Sequence, residues 1–470
     1  MMKLYYLDCW CFFLAASTFS SYVFSSEEPS SVHADLIGVY QSAFQSDAQL
    51  SAARHAYLAQ REAVPQARSG LLPNLTAGAT TEATRLERDE PSMSRARSGT
   101  TFRANLSQPL FRIDRWFQLK AAQSSVAQAD LELSAKVQGL ALTAAETYFE
   151  TLRQLDALAA VQAEEAALLY QRDQAQGRLE DGASSITDVY DAQAAYDNVQ
   201  ANRQLVQRKV DDAFEALNRL TNQSYSSIAG MGHQLPVEPP IPNEAQSWVD
   251  TAVRQNLQLQ ANAQAEQAAE QTLKQQKAGH LPTIDAVASY RKGDNDSFGY
   301  SNPTDFGRDG YRDNVAQSSI GIELNIPIYS GGMTSSKVKE SVERLLQSQD
   351  EKEDRRREVV LNTRNAFRGV NTDISQIHAR RQGITSARKS VEANQVGVDI
   401  GSRNIADVLN AQKQLYTVVR DYNNARYDYI IDNLKLKQAA GTLSVDDLKV
   451  LSLYLKHDYV PARDFLPPGV

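Results

Sequence analysis

The chain has 470 residues, a formal net charge of −8, 42% hydrophobic residues and only 8% aromatic ones. That length can bury a sizeable core, and the wealth of Ala, Gln, Asp, Arg and Ser belongs to long helices and coiled coils rather than to a compact α/β enzyme. The acidic balance, with no basic stripe, excludes a general nucleic-acid binder, whose affinity comes from neutralising phosphates.

Residues 1–26 read as an export signal. Lys3 supplies the positive start, the stretch from Leu4 to Phe19 is largely apolar though interrupted by Asp8, and small residues run to about Ser26, ahead of Glu27 and Glu28. Several cleavage points fit. Both cysteines, Cys9 and Cys11, lie inside this segment, so the mature chain is expected to carry neither disulfide nor thiolate ligand. Neither follows the small-residue run that lipid attachment needs. No later apolar run reaches the length of a membrane-crossing helix. An exported chain of this kind is either soluble in the periplasm or crosses the outer membrane as a β-barrel.

Beyond the signal the chain repeats itself at an offset of about 210 to 220 residues. Gln66-Ala67-Arg68-Ser69-Gly70-Leu71-Leu72-Pro73 returns as Gln276-Lys277-Ala278-Gly279-His280-Leu281-Pro282. Leu106-Ser107-Gln108-Pro109-Leu110-Phe111 returns as Leu324-Asn325-Ile326-Pro327-Ile328-Tyr329. Ile186-Thr187-Asp188-Val189 returns as Ile405-Ala406-Asp407-Val408, each after a glycine, Gly182 and Gly401. The expected organisation is a first repeat over 27–234, a Pro-rich linker over 235–244, a second repeat over 245–442, and a short helix with a loosely attached tail over 443–470.

Each repeat reads as a helix of about 30 residues ending at a Leu-Pro turn, two short strands, a very long helix, a glycine-containing turn and a last helix of about 35 residues. The strands are expected at about 74–82, 101–110, 283–291 and 317–328, and the helical turns at about 177–188 and 397–407. Ile320, Ile322, Leu324 and Ile326 alternate with Ser319, Gly321, Glu323 and Asn325; Phe102, Ala104 and Leu106 alternate with Arg103, Asn105 and Ser107. Four such strands are too few to close a barrel, but a lipid-facing apolar band with a wet interior fits the alternation if several chains share one barrel. An ordinary half-buried sheet would give the same alternation. The Gly-, Asp- and Asn-rich stretch from about Gly293 to Asn314 suits an external loop.

The long helices carry two periods. Leu133, Val137, Leu140, Ala144, Tyr148, Leu152 and Leu155 recur every ~3.67 residues, the period of a straight or weakly right-handed helix. Towards the turns the spacing becomes strictly seven: Val370, Ile377, Ile384, Val391 and Val398; Val408, Leu415, Tyr422, Tyr429 and Leu436; Ala192, Val199, Val206, Ala213 and Leu220. Sevens predict left-handed coiled coils around each turn. A helix of about 65 residues is roughly 100 Å long, a reach across a compartment.

These features together, with Gly401-Ser402-Arg403-Asn404, Asn424-Ala425-Arg426-Tyr427-Asp428-Tyr429 and Ala440-Gly441-Thr442-Leu443, resemble the TolC family of outer-membrane channel-tunnels over nearly the whole mature chain, more than its lipidated efflux-channel branch. The resemblance implies a mostly α homotrimer. Its long coiled-coil helices would form an α-barrel hanging into the periplasm, continuous with a 12-stranded membrane β-barrel built from four strands per chain. It also implies a tip closed at rest and opened by a periplasmic adaptor and an inner-membrane pump of the ABC, RND or MFS type. The cargo would be proteins, as in type I secretion, small toxic compounds, or both.

Residue roles follow from the same resemblance. Thr187 and Asp188 match the pair that latches the tip to an arginine, here Arg403; a tyrosine usually completes the network, and Val398 stands in its place. Asp407 matches the first of two aspartate rings at the entrance, and Asn410 replaces the second. Three Asp407 carboxylates would make a cation-attracting constriction. Charges at solvated helix ends are the plainer reading of the same residues. The six histidines have no ligand spacing, and no phosphate loop, zinc motif or nucleophile elbow is present, so neither metal, cofactor nor enzyme chemistry is expected. The competing readings are the outer component of a multidrug pump only, and a non-conducting periplasmic coiled-coil scaffold.

Overall fold

The computed structural model describes residues 32–88, 93–182, 185–294 and 314–467. The expected export signal and nearly all of the loop from about Gly293 to Asn314 lie outside the described residues.

The first half runs β1 (Val32–Ala34), α1 (Leu36–Ser46), α2 (Ala48–Arg61), α3 (Ala63–Ser69), β2 (Asn74–Arg88), β3 (Met93–Phe111), α4 (Ile113–Glu180), α5 (Ile186–Thr221), β4 (Tyr225–Ile228) and β5 (Gly230–Met231). The second half repeats that order as α6 (Ala245–Gln255), α7 (Leu257–Ala278), β6 (Thr283–Asp294), β7 (Asn314–Asn325), α8 (Met333–Asp399) and α9 (Ile405–Ala439). It ends with α10 (Val445–Ser452), β8 (Leu455–Lys456) and α11 (Pro461–Asp464). The helices before the strands are not single rods. Asp47 and Asn256 are extended residues whose side chains accept from Leu50 N and Leu259 N, so each caps a new helix and breaks the one expected.

β2, β3, β6 and β7 form one antiparallel sheet in that order. Its register gathers most of the apolar positions onto one face. Leu75 pairs with Leu106, Leu106 with Ala288 and Ala288 with Ile320. Directly paired residues share a face, and so do residues two apart along a strand. Ala77, Phe102, Ala104, Tyr290, Ile322 and Leu324 therefore lie on that side, and Thr76, Arg103, Asn105, Ser289, Ser319 and Glu323 on the other. Phe102, Ile320, Ile322 and Leu324 are 57%, 89%, 72% and 58% exposed in the single chain, so none of the described residues covers them. β7 stops at Asn325, short of the expected 328. Its partner β6 begins at Thr283, and Pro327 has no N–H to donate. Ile326, expected on the lipid-facing strand, lies just past its end.

α4 and α8, 68 and 67 residues long, leave β3 and β7 and run about 100 Å away from the sheet. α5 and α9 return antiparallel to them. Val370, Ile377, Ile384 and Val398 are buried, as are Val408, Tyr422, Tyr429 and Leu436. Ala192, Val199 and Val206 of α5 pack with Leu168 and Ala175 of α4. The sevenfold seams are therefore the cores of the two hairpins. At the level where α5 and α9 end, Tyr148, Phe149, Leu152, Tyr427 and Ile430 make the main core with the short strands.

The described part of the tail, to residue 467, is not loose. Phe465 is 2% exposed, its carbonyl accepts from Asn423 Nδ2 (2.8 Å), and the Asp464 carbonyl lies 2.9 Å from His233 Nε2. The Tyr459 hydroxyl bonds Asp156, a buried carboxylate that also accepts from Tyr427 (2.8 Å). The Tyr459 ring lies against Gly230, whose missing Cβ leaves it room. A segment of prolines and polar residues looks dispensable in isolation, but here it supplies the second donor that buried Asp156 needs.

Candidate functional site

The two hairpin turns lie at the far ends of α4 and α8. Both are built from the same local chemistry. Gly182 and Gly401 take positive φ, 72° and 75°, at equivalent places just past α4 and α8. A capping box then opens each returning helix. Ser185 Oγ accepts from Asp188 N (3.2 Å) while Asp188 Oδ2 accepts from Ser185 N (3.0 Å). Asn404 Oδ1 accepts from Asp407 N (2.9 Å) and Asp407 Oδ2 from Asn404 N (3.4 Å). The two aspartates singled out from the sequence therefore start their own helices.

Arg403 projects from a tightly folded turn. The Gly397 carbonyl accepts from Ser402 N (2.8 Å), Arg403 N (3.1 Å) and Ser402 Oγ (3.2 Å). The Arg403 stem lies on Gly397, where a Cβ would come within 2.6 Å of Arg403 Cγ. Its guanidinium is 3.8 Å from Asp407 Oδ2, and the side chain is 60% exposed. At that distance and exposure the pair is weak, and the guanidinium keeps donors for another partner. Thr187, exposed, shares a hydrogen bond with Ser185 Oγ. Val398 is buried at the end of the α8 seam. Asp407 and Asn410 sit one turn apart on α9, the first half-buried and the second exposed.

Sequence reasoning missed the contact that joins the two turns within one chain. Arg178, in the last turn of α4, donates to Asp399, the last residue of α8, at 2.9 Å. Gln395 Nε2 donates to the same carboxylate oxygen (3.4 Å), and Gln395 Oε1 accepts from Gln171 Nε2 (3.2 Å), a residue only 2% exposed. The signal was present in the sequence: Gln171 and Arg178 are seven apart and Gln395 and Asp399 four apart, so each pair shares a helix face.

Nearer the middle of the hairpins lies a group of carboxylates. Asp373 of α8 is 8% exposed and its Oδ2 has no hydrogen-bond partner among the described residues. Burial, then the negative charges of Asp432 and Asp428, push its pKa up to about 7, against the opposing pull of Lys435. Asp428 accepts from Arg153 (2.7 Å), and Lys435 reaches Glu146 at 3.4 Å. Asp156, near the tail, is raised to about 6 by burial, against hydrogen bonds from Tyr459 and Tyr427 and the charge of Arg426. Among the described residues no group of three or more His, Cys, Asp or Glu is arranged to hold a metal ion.

A family model described as outer membrane efflux protein matches residues 39–223 and 248–442, one segment in each half. The chain is 34% identical over 425 residues to outer membrane protein TolC of Vibrio cholerae, covering 90% of this chain and 94% of that one. It is 25% identical over 439 residues to the alkaline protease secretion protein AprF of Pseudomonas aeruginosa, covering 91% of this chain and 89% of AprF. Among solved structures it superposes on CusC with a TM-score of 0.76 at 14% identity, over 91% of this chain and 96% of that one.

Proposed function

The chain belongs to the outer membrane efflux protein family, and from that premise we propose that it is the outer-membrane exit duct of a three-part export system. It sits in the outer membrane and extends into the periplasm. Three copies pool their strands into one 12-stranded barrel, and their helices continue it as a tunnel. An adaptor and an inner-membrane pump, of the ABC, RND or MFS type, meet the tunnel at its far end. Proteins, small toxic compounds or both pass through; the likeness to AprF keeps protein cargo in the reading beside efflux.

The observation that carries this reading is the sheet. One face is mainly apolar from edge to edge, the other mainly polar, and among the described residues the outer edges of the long strands β2 and β7 pair with no other strand. Such edges are a liability unless another copy pairs with them. The 12 residues of β7 extend about 40 Å at about 3.3 Å each, or about 30 Å across a membrane at a tilt of about 40°, enough for an apolar band of about 25 Å. A scaffold without a pore would leave Ile320 and Ile322 facing water. The repeats at 27–234 and 245–442 then act as equivalent halves of each subunit, with 235–244 as the link.

At the tips, Arg403 latches to Thr187 and Asp188 of a neighbouring copy, since among the described residues of its own chain its guanidinium makes a single, long ion pair, with Asp407. A charge-assisted bond of this kind is directional yet breakable. Asp407 forms the entrance ring, and Val398 removes a hydroxyl from the latch. Membrane fractionation followed by planar-bilayer recording tests the whole. The protein is expected in the detergent-extracted outer membrane and to conduct ions, and Arg403→Ala is expected to raise resting conductance. Recovery in aqueous buffer without detergent, or a reconstituted assembly that never conducts, refutes the duct; an unchanged closed state in the variant removes Arg403 from the latch.

A further inference from the structure

We propose that Arg103 of β3 and Arg291 of β6 build an anion-binding ring inside the outer part of the shared barrel, and that its ligand is a soluble multivalent anion entering from the external mouth. The proposal rests on the duct reading above for its threefold symmetry, but concerns the wall of the barrel rather than the tips.

The strand register supplies the ring. Gly78 pairs with Arg103, Arg103 with Arg291 and Arg291 with Gln317, so two arginines stand side by side in one row of the polar face. Like charges directly opposite each other on a sheet repel and cost stability. The neighbouring rows bring no carboxylate: the one outward and the two inward carry only Thr, Asn, Ser, Gly and Val. On this face the described carboxylates are Glu82, two rows outward, and the directly paired Asp285 and Glu323, three rows inward. Arg112 already holds Asp285, its Nη1 lying 3.3 Å from Asp285 Oδ2. Arg291 and Asp285 are about 20 Å apart along β6, at about 3.3 Å per residue, or about twice the Debye length in 0.1 M salt. The acidic row therefore leaves the field of the arginine row standing.

Closure multiplies the pair. β6 enters the sheet from α7 at Thr283, so Arg291 lies towards the end away from the helices. Twelve strands about 4.8 Å apart, tilted by about 40°, close a barrel of about 12 Å radius. Symmetry sets three Arg103–Arg291 pairs at one height on its inner wall, and their long side chains bring the charges closer to the axis than the backbone. Arg103 is exposed and Arg291 half-buried in the single chain. A guanidinium has five N–H donors, so a bond from either one to the protein leaves donors for an anion. Its planar fork matches phosphate and carboxylate oxygens, and rings of arginine favour anions as rings of aspartate favour cations. Lipid headgroups are excluded as the ligand, because the row faces away from Phe102 and Tyr290 on the apolar side.

The test is single-channel recording of the full-length protein in planar bilayers, with heat-resistant oligomer recovered from outer membranes as the folding control. Protein added to one chamber inserts barrel first, since helices of about 100 Å do not cross lipid, so the opposite chamber meets the external mouth. Tripolyphosphate added there at micromolar concentration is expected to block the wild-type current, and raising the salt from about 0.1 to about 1 M to weaken that block at least tenfold. Arg103→Gln and Arg291→Gln are each expected to weaken it at least tenfold in low salt. As a second measurement, the double glutamine variant is expected to shift the reversal potential in a KCl gradient towards cation preference. A conducting wild type that millimolar tripolyphosphate leaves unblocked overturns the ring while the duct stands. So does a double variant blocked as strongly as wild type, or one whose reversal potential is unchanged. A protein that never conducts refutes the duct and the ring with it.

Discussion

Replacing Asp373 by Asn should stabilise the protein, and the gain should grow with pH. Asp373 faces Asp428, Asp432 and Lys435 of α9, with Glu146, Glu150 and Arg153 of α4 at the same level. Its carboxyl titrates at about 7 in the folded chain against 3.8 for the free group. A folded pKa above the unfolded one means that folding favours the neutral acid. That contribution is full below about pH 4 and is lost as pH rises through about 7. The interval is a little over three pH units, and at 1.36 kcal/mol per unit the loss reaches about 4 kcal/mol per subunit by pH 8, an upper figure because Asp373 and Asp432 share one site and both are raised. Asn keeps the shape without the charge. Guanidinium unfolding of detergent-solubilised protein at pH 4.5, 6 and 8 reads the difference. Wild type and Asp373→Asn should coincide within about 1 kcal/mol at pH 4.5 and diverge by about 2–4 kcal/mol at pH 8, the variant being the more stable. Parallel pH profiles, or a variant less stable at pH 8, would falsify the account of this carboxylate.

Asn410→Asp should add a second carboxylate ring one turn above Asp407, so that divalent or trivalent cations block single-channel current more strongly than in wild type; equal block removes Asn410 from the pore. Gly397→Ala should gain up to about 1 kcal/mol of helix propensity yet raise resting conductance as Arg403→Ala does, because the new methyl displaces the Arg403 stem; a closed channel in this variant shows that the turn absorbs it. Tyr459→Phe removes one of the two hydroxyl donors to buried Asp156. Denaturant unfolding at pH 8 should show a loss of about 1–3 kcal/mol, and the loss should shrink below pH 6 as the carboxyl takes up its proton.

The two-residue alternation of Ile320, Ile322 and Leu324 and the sevenfold run from Val370 to Val398 were legible because each is a repeat along one element. The backbone alone converts such a repeat into a face. The strand register then placed Leu75, Leu106, Ala288 and Ile320 side by side, a result implied by four separate alternations but settled only by their pairing. The breaks at Asp47 and Asn256 carried a readable signal, an Asx residue three before the leucine whose N–H it accepts, and were obscured by the continuous helical composition around them. β1, β4, β5 and β8 are two to four residues long, too short for any period to show.

The sequence by itself determined that this chain makes two hairpins of long helices on a four-stranded amphipathic sheet, because periodicity is a local property. It did not determine which polar groups meet. Arg178 and Asp399 are 221 residues apart, and Tyr459 and Asp156 are 303 apart. A salt bridge or a buried hydrogen bond leaves no periodic trace in the chain: it exists only once packing has set two helices at a given rotation and depth. Those contacts, one joining the ends of α4 and α8 and the other seating the tail, were decided by the tertiary structure.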